Sequence, residues 1–498
     1  MKIRSMVFAA VFFMFFVTFI KVSEAESLKI SSFTSLNDAI TTIGAANKTL
    51  IIDSATIMTS EATIPTNISI IMECPGSINN SYSLSINGPF SGGLYQAFTG
   101  DGPVVFGNGS VKEIYPEWWG AKGDGSESYS SIQKAITAAL AGVQAVRFSS
   151  GIYHIGSTIN IDRPVDTTHE TLKLIGNGAS VLYLTSPINM FSSTLDDSST
   201  RPLSENIEFQ NLTFRVDDSS RNAYVLHGEK FLRIKFISCF FDKIKCLVSN
   251  IYLQSFIFSN CYIKYWSGYF IRVNAESYDI AFIGNWVEAG GAFFRTVSAA
   301  HHPVNGVRYL GNLIEGLSGT VIEGGNFRGL SIVGNYFEEN ARDGVLPAIE
   351  LNADGYNYGV QITGNFFSVS SQNLTNPDYW EVDLGATVGM KSGGNYSTGQ
   401  LYNNTSAIDF YTNDDYSTVV LARKLSTSTF TATLIGCTSS ITGVVKYDRH
   451  GKSVTLYLPT ILGTSNSTAA LLAGLPTHLY PVTQQIVPVR ITNNGRFC

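Results

Sequence analysis

Between residues 205 and 370 the chain repeats itself, and that repetition restricts its fold more than any other feature. Seven nine-residue segments align without a gap: IEFQNLTFR (207–215), IKFISCFFD (234–242), FIFSNCYIK (256–264), IAFIGNWVE (280–288), VRYLGNLIE (307–315), LSIVGNYFE (330–338) and VQITGNFFS (360–368). Their sixth positions are Leu212, Cys239, Cys261, Asn285, Asn312, Asn335 and Asn365, spaced by 27, 22, 24, 27, 23 and 30 residues. The first, third and eighth positions are apolar, the third reading Phe209, Phe236, Phe258, Phe282, Tyr309, Ile332, Ile362. Alternation at positions one and three is that of a strand with one buried face. Gly-Asn at positions five and six marks a turn, and position eight points inward again. One such unit cannot bury its own apolar face, so the units must stack, each coil on the next at the inter-strand spacing of ~4.8 Å. The predicted architecture is an all-β, right-handed parallel β-helix, with internal files of Phe, Ile and Val and an asparagine ladder at the corner. A leucine-rich repeat or propeller would need an LxxLxL or four-strand blade pattern, and neither occurs.

Composition agrees. Of 498 residues only 14% are charged and 44% are hydrophobic, with a net charge of −6. That excludes a disordered chain, and the acidic balance argues against nucleic acid as a partner. Glycine is spread throughout and no heptads occur, which excludes a coiled coil. Lys2 and Arg4 precede an apolar run from Met6 to Ile20 and a Ser23-Glu24-Ala25 site. This is the order of a secretory signal peptide spanning 1–25. The run falls short of the roughly 20 residues of a membrane anchor, so no membrane span is expected after cleavage, and the expected location is secreted or cell-surface. Six cysteines (Cys74, Cys239, Cys246, Cys261, Cys437, Cys498) do not form a disulfide framework in so long a chain. Cys239 and Cys261 fall in the ladder position of consecutive coils, where small hydrophobes are the simpler reading and a disulfide depends on geometry.

Four regions are expected: the signal peptide 1–25, a β-rich leader 26–112, the β-helix 113–427 and a small β-domain 428–498 in which strands pair about a turn at Asp448-Arg449-His450-Gly451. Ser130 and Gln133 form a potential capping box. Ile132, Ala135, Ile136, Ala139 and Leu140 then make one apolar helical stripe, suited to covering the open end of a solenoid. The leader reads as early coils or as a separate entry domain.

The segment Trp119-Gly120-Ala121-Lys122-Gly123-Asp124-Gly125, with Ile132-Gln133-x-Ala135, Val146-x-Phe148 and Gly151-x-Tyr153 after it, resembles the start of the pectate-lyase-superfamily β-helix. That group includes rhamnogalacturonase-like and epimerase-like proteins and phage tailspikes. Tyr115-Pro116-Glu117-Trp118-Trp119 resembles the end of the leader on secreted bacterial members, and the C-terminal strands resemble a small domain of tail-fibre-like proteins, a resemblance that implies a domain continuing past Cys498. The usual Thr-Asp-Asp-Thr before the helix is replaced by Glu127-Ser128-Tyr129-Ser130. The resemblance implies a carbohydrate-active protein acting on polysaccharide by hydrolysis or β-elimination, or a non-catalytic glycan-binding surface protein. It also leaves a homotrimer open. It fixes no catalytic residue here.

Outward positions of a solenoid stack into stripes. The ninth position reads Arg215, Asp242, Lys264, Glu288, Glu315, Glu338, Ser368. Glutamates on neighbouring coils lie roughly 5 Å apart and next-neighbours roughly 10 Å, which brackets the carboxylate separations of retaining and inverting glycosidases. Glu288, Glu315 and Glu338 are therefore the first candidates for acid and base. Beside them, Tyr262, Trp286 and Tyr336 at the seventh position are candidate sugar-stacking rings. A second stripe, His227, Ser249, Arg272, Arg295, Glu323, Glu350, is the second candidate: Arg272, Arg295, Glu323 and Glu350 could bind an acidic sugar or supply an arginine base, or could be a salt-bridge ladder. Solvated surface charge accounts for both stripes equally well. Asp124, with Ser126 and Ser128 after it, could ligate calcium, but turn chemistry explains it with fewer assumptions. His301 and His302 lack companions, no motif has metal-ligand spacing, and no cofactor is expected.

Overall fold

The structure is a computed structural model. It describes residues 26–403 apart from 144, 163–170, 194–203, 218–223, 229, 298–302, 343–345, 352–355 and 375–378; beyond 403 it describes pieces between 411 and 497. The signal-peptide segment, His301, His302, Cys437 and Cys498 lie outside the described residues.

From Asp124 to Ser417 the chain winds as a right-handed parallel β-helix, each strand pairing in parallel with its counterpart one coil on. A coil has three strands, as in Ser277–Ile283, Trp286–Glu288 and Ala292–Thr296. They belong to a first, second and third sheet. The expected register holds at every coil. Phe209 pairs with Phe236, Phe236 with Phe258, Phe258 with Phe282 and Phe282 with Tyr309. The rings form one internal file, with centroids 4.7, 4.9, 5.5 and 4.7 Å apart and interplanar angles of 28° or less. Ile332 and Ile362 continue it.

The fifth repeat position makes the corner. Asn211, Ser238, Asn260, Gly284, Gly311, Gly334, Gly364 and Gly394 all have φ between +51° and +67°. A left-handed residue costs an L side chain about 1–2 kcal/mol, which explains why glycine, asparagine and serine fill this column and no β-branched residue does. The turn thus needs one left-handed residue, not two, and the sixth position is free to send its side chain inward. There the ladder forms. The Nδ2 of Asn285, Asn312, Asn335 and Asn365 each donates to the Oδ1 one coil on, at 2.9, 2.8, 3.0 and 2.9 Å. The last acceptor is Asn395, on a coil that follows the seven aligned repeats. Each Nδ2 also donates to the backbone carbonyl of the third position one coil back, as Asn312 does to Phe282 at 2.9 Å. Every Oδ1 also takes the backbone N–H of the preceding corner, as Asn312 does from Asn285 at 2.9 Å. Buried amides this fully bonded carry no desolvation debt.

Cys239 and Cys261 occupy the same column as free, buried thiols. Their Sγ atoms donate to Phe209 O and Phe236 O, both at 3.4 Å, the same carbonyl position that the asparagines use. The column is continuous in hydrogen bonding although its chemistry changes from sulfur to amide.

The leader is itself coiled. Ser27–Lys29, Lys48–Ile52, Ile68–Met72 and Phe90–Ser91 pair in parallel, as do Ala62–Ile64, Leu84–Ile86 and Val104–Phe106. One apolar core runs from Ile30 to Leu401 through leader and body. Helix α1 (Leu36–Ile43) buries Leu36, Ala39 and Ile43 against the leader. The anticipated helix, α2 (Tyr129–Ala138), lies where leader and body meet, with Ile132, Ala135 and Ile136 fully buried. It covers the first coil of the body. The capping box is not formed. The helix starts two residues earlier than that box requires, with Ser128 as its N-cap; Glu127 Oε1 accepts the Tyr129 N–H at 2.8 Å, and Gln133 instead pairs with the backbone of Asn160 at 2.8 and 3.1 Å. Asp124 makes a local turn bond to Ser126 N at 3.0 Å.

The C-terminal domain holds an antiparallel sheet of Ser428–Ile435, Ile441–His450, Ser453–Tyr457 and Leu471–Ala473. His450 pairs with Ser453, so Asp448, Arg449 and His450 are strand residues and not the turn. The expected turn does not form at Asp448-Arg449-His450, because backbone pairing persists through that polar run.

Candidate functional site

The second sheet carries the first candidate stripe. In each short strand the middle residue fills the core, which forces its two neighbours outward. Val287, Ile314 and Phe337 are buried, so Trp286 and Glu288, Leu313 and Glu315, and Tyr336 and Glu338 project from the face. Glu288 pairs with Glu315 and Glu315 with Glu338 across the sheet, and the three carboxylates stand on consecutive coils. Lys264 precedes them and Ser368 follows.

The seventh-position side chains form an outer track. Phe240 stacks on Tyr262 at 5.0 Å and Tyr262 lies 4.8 Å from Trp286. After Leu313, Tyr336, Phe366 and Tyr396 stack at 4.9 and 5.1 Å. Trp286, Tyr336 and Tyr396 are 45%, 38% and 39% exposed, so their faces and edges meet solvent. Tyr396 was not legible as part of the track, because its coil has lost the apolar third and eighth positions that define the repeat.

Aromatic donors hold two of the three carboxylates. The Tyr262 hydroxyl donates to Glu288, and Trp286 Nε1 donates to Glu315 Oε1 at 2.9 Å. Burial, aided by Glu288, raises the Tyr262 pKa well above the ordinary tyrosine value, so the phenol keeps the proton it donates. Tyr336 is also raised, first by burial and then by the neighbouring Glu338 charge. Lys264 Nζ lies 5.3 Å from the Tyr262 ring centroid and 5.4 Å from that of Phe240, within cation–π range.

The second stripe lies on the third sheet. Ser249, Arg272, Arg295, Glu323, Glu350 and Asp383 follow one another in register. Arg295 Nε meets Glu323 Oε1 at 3.1 Å, and Arg295 Nη1 donates to the Tyr269 hydroxyl oxygen at 2.6 Å. Tyr269 in turn donates to Glu323 Oε2 at 2.8 Å. The triad is closed by two hydrogen bonds and one ion pair, with the guanidinium 4.9 Å from the Tyr269 ring centroid. Burial, then Glu323, raises the Tyr269 pKa. The buried Arg272 Nε has no partner among the described residues. The two stripes stand on different sheets and are not brought together in one site.

The second sheet also extends toward the N-terminus beyond the readable repeat. His154, Tyr183, Arg215 and Asp242 continue the ninth-position stripe, and Ile152 and Val181 continue the seventh. Tyr183 was missed because three extra residues between Ile175 and Ser180 interrupt the nine-residue spacing, and His154 because its own coil carries two extra residues between Arg147 and Gly151. Among the described residues no group of three His, Cys, Asp or Glu is placed to hold a metal, and no helix is long and apolar enough to cross a membrane.

Fold and exposed face together define a right-handed parallel β-helix with an aromatic and acidic outer track. No family model matches the chain, and no curated protein matches it. Among solved structures it is similar to the tailspike protein of Acinetobacter baumannii phage AM24 at 14% identity, covering 78% of each chain with a TM-score of 0.48. It is also similar to PfbA, a surface adhesin of Streptococcus pneumoniae, at 12% identity over 69% of this chain and 99% of that one, with a TM-score of 0.42. A third similar structure is the A-module of the Azotobacter vinelandii mannuronan C-5 epimerase AlgE4, at 16% identity over 61% and 95%, with a TM-score of 0.36.

Proposed function

We propose that the chain is a secreted or cell-surface protein that lays an extended polysaccharide along the second sheet and cleaves it beside Glu315. One observation carries this reading. The aromatic track is broken once, at Leu313, and the coil of that break bears Glu315, flanked by Glu288 and Glu338. Sugar rings would stack on Tyr262 and Trp286 on one side and on Tyr336 and Phe366 on the other. The bond between them would lie over three carboxylates with neighbour and next-neighbour separations of ~5 and ~10 Å. In hydrolysis one carboxyl protonates the leaving oxygen, and a second attacks the sugar or activates water. Glu315 with Glu288 or Glu338 would form that pair, Trp286 and Tyr262 fixing the orientation of the carboxylates. The Arg272, Arg295, Glu323 and Glu350 stripe is the second-choice cleft, with an arginine as base for β-elimination.

A non-catalytic glycan-binding protein is the second reading. The length of the track favours it, since rings from Phe240 to Tyr396 extend well past the glutamates. Incubation with a polysaccharide panel separates the alternatives. New reducing ends without ultraviolet absorbance mean hydrolysis, unsaturated products mean elimination, and binding without either supports the second reading. Glu315→Gln keeps an acceptor for Trp286 Nε1, so turnover should fall at least a hundredfold with the melting temperature unchanged. Full activity in that variant rejects the assignment.

A further inference from the structure

The stripe on the third sheet contains one cation that the fold does not use. Arg272 is half-buried and its Nε is shut from solvent, yet among the described residues its guanidinium makes no ion pair and no hydrogen bond. A guanidinium is always charged and carries five donors, so a partly desolvated one without an acceptor is costly. Its neighbours in register do not relieve it. Ser249 precedes it and Arg295, a like charge, follows. Arg295 is itself satisfied, by Glu323 Oε1 at 3.1 Å and the Tyr269 hydroxyl at 2.6 Å. Glu323 is the first carboxylate of the stripe and stands two coils beyond Arg272, ~10 Å along the axis. Both of its oxygens are held, Oε1 by Arg295 and Oε2 by Tyr269 at 2.8 Å, so it is kept from reaching back. Glu350 and Asp383 follow farther on. Arg295 and Glu323 cancel, and the positive charge left at this place is that of Arg272.

We propose that Arg272 is the recognition point for an anionic substituent, a carboxylate or a sulfate, of a glycan lying along the third sheet. The terminal nitrogens of the guanidinium take two oxygens of the anion side by side, the geometry that makes arginine suited to such groups. The ligand then supplies both the counter-charge and the acceptors that the fold withholds. The ion pair and hydrogen bonds of Arg295, Tyr269 and Glu323 keep the next coil rigid and electrically neutral, which confines the attraction to one place. The inference rests on a polysaccharide ligand, as the proposed function does, and deepens its second-choice cleft: Arg272 reads the charge of the ligand, and no step of cleavage is asked of it.

The test is titration calorimetry of the full chain with a hexagalacturonate and with a sulfated galactan hexamer, each beside its carboxyl-reduced or desulfated counterpart. The net charge of −6 disfavours polyanions in general, so a preference for a charged probe has to come from a local site. At least one charged probe should bind about tenfold more tightly than its neutral counterpart. Arg272→Met, which keeps the packing of the stem and removes the charge, should erase that preference and leave the neutral probes as they were. Because the fold gives the guanidinium no partner, this variant should melt no lower than the parent. Arg272→Lys keeps the charge without the fork and should retain part of the preference. Trp286→Ala, on the second sheet, should leave the ratio of charged to neutral affinities unchanged. Equal binding of charged and neutral probes, no binding of either charged probe, or a preference that survives Arg272→Met overturns the site. A markedly earlier melt of Arg272→Met, which would mean that the fold uses the cation, overturns it too, as does inorganic sulfate binding as tightly as the sulfated hexamer. A charge preference without any cleavage supports the site and sinks only the catalytic reading, whereas cleavage without a charge preference sinks only the site.

Discussion

The coils before Asn285 and those after it are held in line by different physics. In the earlier stretch the third positions are aromatic, and phenyl rings from Phe209 to Phe282 stack with each centroid within 5.5 Å of the next. The corner there carries Leu212, Cys239 and Cys261. In the later stretch the core file thins to Ile332, Ile362 and Ser392 in register, and the corner becomes a chain of five amides. The third sheet changes in parallel: Phe270 and Phe293 stack at 5.2 Å, whereas three coils later the corresponding place holds Glu381, with Ala348 beneath it. Bulk apolar packing is non-directional and tolerates changes of shape, while an amide ladder is directional and tolerates none. Where the chain gives up ring volume, it takes on stereospecific bonding.

This contrast can be broken at its strongest points. Phe236→Ala, which removes a ring packed against Phe209, Phe241 and Phe258, should cost about 3–5 kcal/mol in denaturant unfolding. Phe236→Leu should cost under about 1.5 kcal/mol. In the ladder the near-isosteric swap is the damaging one. Asn312→Leu leaves the Asn285 amide and backbone N–H without their acceptor, and should cost about 2–4 kcal/mol. Equal tolerance of Phe236→Leu and Asn312→Leu would erase the distinction.

Glu381 sharpens it in pH. Burial raises its pKa from 4.5 to about 8. The folded state therefore keeps a proton that the unfolded chain releases above pH 4.5, so this contribution is complete below 4.5 and is lost as pH rises toward 8, by about 1.4 kcal/mol per unit. Glu381→Gln should flatten that slope in melts between pH 5 and 8, and an unchanged slope would mean the acid is not buried. The smallest effect is expected where the two stretches meet. The Tyr309 hydroxyl is buried without a partner among the described residues, so Tyr309→Phe should stabilise by about 1 kcal/mol.

Much of this was legible in the sequence because a solenoid turns alignment into contact. Once nine-residue segments are in register, the Phe209 file, the asparagine column and the Glu288, Glu315, Glu338 stripe follow without further information. Legibility failed where coils keep the path but lose the pattern. Asn395 follows Gly394 at the corner, yet Ser392 and Ser397 stand where aromatics would mark the repeat. The leader winds with a single Gly-Asn pair, Gly107-Asn108, so no column of corners announces it. Tyr183 and His154 were hidden by three and two additional residues at the corners of their respective coils, since backbone pairing resumes after each insertion while sequence spacing does not. The capping box failed for a tertiary reason: Gln133 found the Asn160 backbone, a partner that no local pattern reveals.

The amides of the corner all point one way, each nitrogen toward the C-terminal coil and each oxygen toward the N-terminal one. Their dipoles add, giving the stack an electrical head and tail as a row of aligned peptide units does in a helix. Coils are consequently not interchangeable bricks: one spliced in with a different residue at that corner would set two parallel dipoles apart and interrupt the series. Any attempt to lengthen this protein by duplicating a coil should therefore copy one full period, the segment from Gly311 to Val333, amide included.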